Sequence, residues 1–158
     1  IAMLLQEKLP VIARLTDIYA TDISEPAVEK AREGVYTRFE LGRGLPDHYL
    51  NKYFTKIDDN SSRISAQIRD RVRFEVHNLV NDPFPFQNDI IFCRNVAIYF
   101  SEAQKKGLYE KLQGALRQDG VLVLGSAESL SGYLGNFIIR EYGLGRYYEL
   151  NASQVFMF

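Results

Sequence analysis

The sequence predicts an α/β fold: a mostly parallel sheet covered on both faces, closed by an antiparallel C-terminal strand pair. Three observations predict it. Apolar strand patterns alternate with helical patterns from Leu15 to Leu124, the arrangement that builds parallel sheets. Two strand patterns, Asp89–Cys93 and Val121–Leu124, carry consecutive apolar residues, as strands buried on both faces do. Phe137–Arg140 and Tyr147–Leu150 then read as an antiparallel pair at the C-terminal end.

The elements follow in order. Ile1–Leu9 reads as an amphipathic helix. It has no initiator Met, no N-cap and no basic start of a signal peptide before it, so the chain is expected to begin inside a domain. Leu15–Ile23 alternates apolar and polar residues and ends near an acid, Asp22, as a strand does. Ser24 can cap the next helix, with Glu25 and Pro26 in its first turn. That helix carries Ala27, Val28 and Ala31 on one face and stops at Gly34. Gly42, Gly44 and Pro46 mark a loop, and Asp47–Phe54 a short helix with Tyr49, Leu50, Tyr53 and Phe54 apolar.

Asp58-Asp59-Asn60-Ser61-Ser62 is a turn signal between Tyr53–Ile57 and Arg63–Ile68. The stretch from about Tyr53 to Arg71 is therefore a small hairpin or a surface excursion. Arg71–Leu79 reads as a strand with one solvated side, broken by Asp82-Pro83-Phe84-Pro85. After the Asp89 strand, Ser101 and Gln104 have capping-box spacing. Leu108, Leu112, Ala115 and Leu116 form the stripe of a helix packed on a sheet, and Gly120 is expected to end it. The whole span 1-158 reads as one α/β domain or part of one.

Composition narrows the function. The chain has 158 residues, a net charge of −1, 46% hydrophobic and 25% charged residues. That is an ordinary globular composition, with no support for a nucleic-acid or membrane surface. Cys93 is the single cysteine, so no internal disulfide forms and a reducing, cytoplasmic compartment is expected. No apolar run approaches the roughly 18 residues of a membrane span. One Cys with His48 and His77 apart makes no zinc site. Neither a Walker A loop nor a nucleophile elbow is present.

Three places carry candidate chemistry. Asp22 stands at a strand end, where a carboxylate can take the two hydroxyls of a ribose; the other reading is an acid favoured by the following helix dipole. Asn78 can donate to and accept from an adenine edge, with Leu79 packing on the ring. Turn preference favours the plainer reading of Asn78 as a turn residue. Arg94 and Asn95 interrupt an apolar strand at its carboxyl end, where open α/β sheets bind ligands. Arg94 can grip a carboxylate with two parallel hydrogen bonds, and Tyr99 offers a π face to a cationic sulfonium. Cys93 lies on the apolar strand and reads as structural rather than nucleophilic.

Several blocks come in a telling order: Ala20-Thr21-Asp22-Ile23-Ser24, Ala31-Arg32-Glu33-Gly34-Val35-Tyr36, His77-Asn78-Leu79, Phe92-Cys93-Arg94-Asn95-Val96-Ala97-Ile98-Tyr99-Phe100 and Gly125-Ser126-Ala127-Glu128-Ser129. Together they resemble the CheR-type chemotaxis-receptor methyltransferases over roughly Ile1 to Leu150. The resemblance implies a Rossmann-like class I methyltransferase sheet. It also implies S-adenosylmethionine-dependent methyl transfer to glutamates on the cytoplasmic helices of chemoreceptors, with S-adenosylhomocysteine as product. Asp22 would then bind the ribose, Asn78 and Leu79 the adenine side, and Arg94 and Asn95 the rest of the cofactor, with Tyr99 beside the methyl. The other class of reading is a methyltransferase-like sensing or scaffold module without turnover.

Against the family pattern, the first strand, its Gly-rich loop and the helical domain that would precede Ile1 are absent from the sequence. A central strand is thereby missing, which is expected to leave unpaired backbone between the Leu15 and Asp89 strands. The chain alone is expected to bind the cofactor weakly or not at all, unless a second chain or an exchanged segment fills the gap. Some family members dock a receptor C-terminal pentapeptide on a β excursion with glycines in its loop. Lys56–Arg63 has no glycine, so no pentapeptide tether is expected.

Overall fold

The computed structural model describes residues 1–85, 87–133, 137–143 and 145–151. The chain folds as two compact units, Ile1–Asn78 and Leu79–Phe158. In the first, α1 (Ala2–Lys8) and α2 (Pro10–Arg14) lead to β1 (Ile18–Asp22), and β1 pairs in parallel with β5 (Val72–Val76). The strand is shorter than the sequence pattern. Leu15 follows α2 and is exposed, as is Ile23 beyond Asp22. Between the two strands, α3 (Glu25–Glu33) starts on Ser24, whose hydroxyl accepts from the Ala27 N–H, and ends at Gly34 with φ of 68°. A side chain at Gly34 would be strained by that φ and would also strike Ile64 at 2.6 Å. Of the expected apolar face, Val28 is buried but Ala27 is exposed.

The expected excursion is a small antiparallel sheet. It comprises β2 (Val35–Thr37), β3 (Phe54–Lys56) and β4 (Ser61–Ile64), in the order β2-β4-β3. The Asp58 carboxylate closes the hairpin by accepting from the Asn60 and Ser61 N–H groups and the Ser61 hydroxyl. Around it lie α4 (Arg38–Leu41), capped reciprocally by Thr37 and Glu40, then α5 (Asp47–Tyr53) and α6 (Ala66–Arg69). Ala2, Tyr53 and Ile68 form the core of this unit with Met3, Ile18, Tyr49, Phe54, Ile64 and Val72 against them.

The second unit is a four-stranded sheet in the order β6-β7-β9-β8: β6 (Asn88–Cys93), β7 (Leu116–Leu124), β8 (Phe137–Tyr142) and β9 (Gly145–Leu150). β6 and β7 are parallel; β9 runs antiparallel to both β7 and β8. Helix α7 (Glu102–Ala115) starts on the expected Ser101–Gln104 capping box. Its Leu108, Tyr109 and Leu112 pack with Cys93, Leu116, Leu122, Leu124, Leu130, Phe137 and Tyr148.

Strand β6 and the end of α7 depart from the sequence pattern. Strand β6 is not buried on both faces: Ile91 and Cys93 join the core, while Ile90 and Phe92 remain 56% and 51% exposed. Successive side chains point to opposite faces, and α7 covers one of them. Gly120 does not end the helix, which stops at Ala115. It lies instead in an irregular stretch of β7, where the ladder steps from Asn88 opposite Leu116 to Ile90 opposite Val121. There a Cβ would meet the Asn88 carbonyl at 3.0 Å. The helix end is closed by Asn88, whose amide donates to the carbonyls of Ala115 and Pro85 at 2.9 and 2.7 Å. Among the described residues β1 pairs only with β5, and β6 only with β7.

Candidate functional site

In the first unit the parallel ladder brings two of the expected residues together. Asp22 stands opposite Val76, and the His77 N–H donates to the Asp22 carbonyl at 3.0 Å. This places Asn78 beside Asp22 at the carboxyl ends of β5 and β1, and buries His77. The Asp22 carboxylate accepts from the Ser24 N–H at 2.8 Å through Oδ1. Its Oδ2 takes no hydrogen bond from the described residues and faces outward with the exposed side chain. One oxygen therefore shapes the loop into α3 while the other stays available.

In the second unit the carboxyl end of β6 turns through Arg94 and Asn95 into a short 3-10 turn, Ala97–Tyr99. Asn95 has φ of 60°, a left-handed conformation that Asn tolerates better than most residues. Ala97 is buried, whereas the Tyr99 ring is 80% exposed. Arg94 is exposed and has no acidic partner among the described residues. Leu79 packs against the core of this unit, and its carbonyl accepts from the Lys111 ammonium at 3.5 Å.

A buried carboxylate holds the turn. Glu128, 8% exposed, accepts the N–H groups of Asn95 (2.6 Å), Val96 (2.9 Å) and Ala97 (2.7 Å). It accepts a fourth from Gly125 at 2.7 Å, and its own N–H closes a turn onto the Gly125 carbonyl at 3.0 Å. The loop after β7 thus grips the loop after β6. Gly125 is required for the approach, because a Cβ there would lie 2.5 Å from Asn95 Oδ1 and 2.6 Å from Glu128 Oε2. Sequence reasoning noticed the Gly125–Ser129 block but assigned Glu128 no chemistry. The available signal was an acid four residues beyond an apolar strand.

Beside the turn a cleft of about 500 Å³ is lined by Arg94, Gly125, Ser126, Glu128, Glu141 and Arg146. Burial raises the Glu128 pKa, but the four N–H bonds outweigh it and hold the carboxyl below its ordinary range. The same environment makes neighbouring acids weaker. Burial, reinforced by the Glu128 charge, pushes the Cys93 thiol up to about 11 and the Tyr109 phenol to about 12. At neutral pH Cys93 is a protonated core side chain. No group of metal-ligating side chains occurs among the described residues.

The structure therefore gathers Asp22 with Asn78 in one unit, and Arg94, Asn95 and Tyr99 on one turn of the other. A family model described as the CheR methyltransferase SAM-binding domain matches residues 1–142. The chain is 35% identical to the chemotaxis protein methyltransferase of Vibrio parahaemolyticus, over 92% of this chain and 53% of that protein. It is 34% identical to chemotaxis protein methyltransferase 1 of Vibrio cholerae, with the same coverage of 92% and 53%. A solved methyltransferase from Geobacter sulfurreducens superposes with a TM-score of 0.48 at 17% identity, covering 85% of this chain and 58% of that one. The chain spans about half the length of the curated relatives it matches. With its ordered motif blocks, parallel strand ends and extensive family match, this chain belongs to the CheR methyltransferase SAM-binding domain family.

Proposed function

We propose that this protein transfers a methyl group from S-adenosylmethionine to glutamate carboxylates on the cytoplasmic helices of chemotaxis receptors, leaving S-adenosylhomocysteine. The observation that carries this reading is the turn after β6. It sits at the carboxyl end of a parallel strand and exposes a tyrosine ring and a guanidinium that has no acidic partner among the described residues, both within the family run. The side chains fit the cofactor. Asp22 Oδ2, which takes no hydrogen bond from the described residues, suits a vicinal diol, and we assign Asn78 and Leu79 to the adenine side. Arg94 can take the cofactor carboxylate, and Asn95 completes that pocket.

When bound, S-adenosylmethionine supplies an electrophilic methyl on a sulfonium that serves as its own leaving group. The Tyr99 ring stabilises that cation through its π face. The acceptor glutamate is ionised at neutral pH, so no residue of the chain has to remove a proton. Alignment of the reacting atoms and exclusion of water are then the main contributions of the protein.

We read 1-158 as the C-terminal portion of a catalytic domain and the protein as cytoplasmic, where its receptor helices lie. No helix among the described residues is long and apolar enough to cross a membrane. The hairpin tip closed by Asp58 has no glycine, which supports the absence of a pentapeptide tether. Among the described residues β1 pairs only with β5 and β6 only with β7, which supports a further strand, from a second chain or an exchanged segment, in the active form.

The test uses protein expressed from its complete gene. S-adenosylhomocysteine is titrated by calorimetry, and labelled methyl transfer to a chemoreceptor cytoplasmic fragment is followed. We expect binding together with base-labile glutamate methyl esters. Arg94→Ala is expected to weaken binding at least tenfold at unchanged Tm. Unchanged affinity removes Arg94 from the site, and binding without transfer returns the sensing-module reading.

A further inference from the structure

We propose that Glu128 is a positioning residue. By accepting the N–H groups of Asn95, Val96, Ala97 and Gly125, its carboxylate fixes the turn that presents Arg94, Asn95 and Tyr99 to the cofactor. The ligand named here rests on the function proposed above; the geometry does not.

Three consecutive N–H groups, from Asn95 to Ala97, converge on one carboxylate. Such a concavity attracts an anion, and here the chain supplies its own. The anion comes from the loop after β7, so the two loops at the carboxyl ends of neighbouring parallel strands share one shape. The Glu128 oxygens are divided: Oε1 takes Val96 and Ala97, Oε2 takes Asn95 and Gly125. A single neutral acceptor cannot do this. A glutamine has one acceptor oxygen, and its NH2 would face two N–H donors. Satisfying a core turn alone does not call for a buried charge, which is costly unless every acceptor position is used. The outer side of the same turn carries Arg94 and Tyr99, both exposed. Asn95, in the left-handed conformation that orients its amide, is bonded directly through its N–H at 2.6 Å.

The experiment compares wild-type protein, expressed from its complete gene, with Glu128→Gln and Glu128→Asp. Amide proton shifts of Asn95, Ala97 and Gly125 are read by NMR, and S-adenosylhomocysteine affinity by calorimetry. In Glu128→Gln the three amide protons are expected to move upfield and the Kd to rise at least tenfold. Glu128→Asp keeps the charge but draws it back by one methylene. It is expected to give intermediate shifts and an intermediate Kd, and it carries the test if the Gln variant does not fold. Displaced amide signals with an unchanged Kd would overturn the positioning role, as would signals that do not move. Wild-type protein that fails to bind overturns the proposed function instead, whereas wild type and variants binding equally overturns the role of Glu128 alone.

Discussion

Gly125 shows how little room one residue can leave. Its missing Cβ lets Asn95 Oδ1 and the Glu128 carboxylate close over the backbone, and a methyl there would also lie 2.9 Å from the Asn95 nitrogen. That nitrogen is backbone and cannot swing aside. Gly125→Ala is therefore expected to destabilise the protein by about 2 kcal/mol, in the range for overpacking. A urea titration checks this, and a loss under about 0.5 kcal/mol, the scale of an ordinary surface substitution, would contradict it. At this scale the sequence was partly legible. Asp22, Arg94 and Asn95 stood out because polar side chains at the ends of apolar strands are conspicuous. Glu128 did not, because its partners are four backbone N–H groups, which leave no mark in the composition of the residues around it.

Among the elements, helices with side-chain caps were the easiest to foresee. Ser101 and Gln104 bond reciprocally at the start of α7, and Ser24 accepts from Ala27 at the start of α3. Ser101→Ala is expected to lower stability by about 1 kcal/mol, the usual loss of an N-cap acceptor. Thermal denaturation checks this; Ser61→Ala is unsuitable as a comparison, since Ser61 itself bonds Asp58. Lys106→Ala on the outer face of α7 is the better control. The short elements α2, β2 and α4, of 5, 3 and 4 residues, escaped notice because none is long enough to display a period. Gly120 misled for a different reason. A glycine after a helical stripe has the look of a C-cap, yet here it serves a close backbone approach within β7.

For the whole molecule, the alternation of strands and helices revealed the parallel pairs, and the consecutive apolar residues at Val121–Leu124 revealed a core strand. Which strands lack a neighbour depends on backbone pairing across distant sequence, and the half-exposed Ile90 and Phe92 follow from that pairing rather than from local pattern. Electrostatics also act at this scale. Glu40 is held at about 2, first by Lys30 and then by Thr37. Asp58, Glu75 and Glu102 also sit below their ordinary values, through Ser61, Tyr19 and Lys105 respectively as the largest cause. Glu128 does so against its burial. Each is a better acid folded than unfolded. Its contribution is complete above the unfolded value near 4 and is lost as pH falls through the folded value. The urea midpoint is expected to be flat from pH 7 to about 5.5 and to drop steadily below about 4. A midpoint that rose on acidification would contradict the assignment.

The amide of Asn88 closes α7 and, at the same position, opens the β6–β7 ladder opposite Leu116. Helix completion and strand docking therefore share one group. Assembly of this unit is thereby coupled: the last turn of α7 lacks its partner until β6 arrives, so helix and strand are expected to gain protection from hydrogen exchange together rather than in sequence.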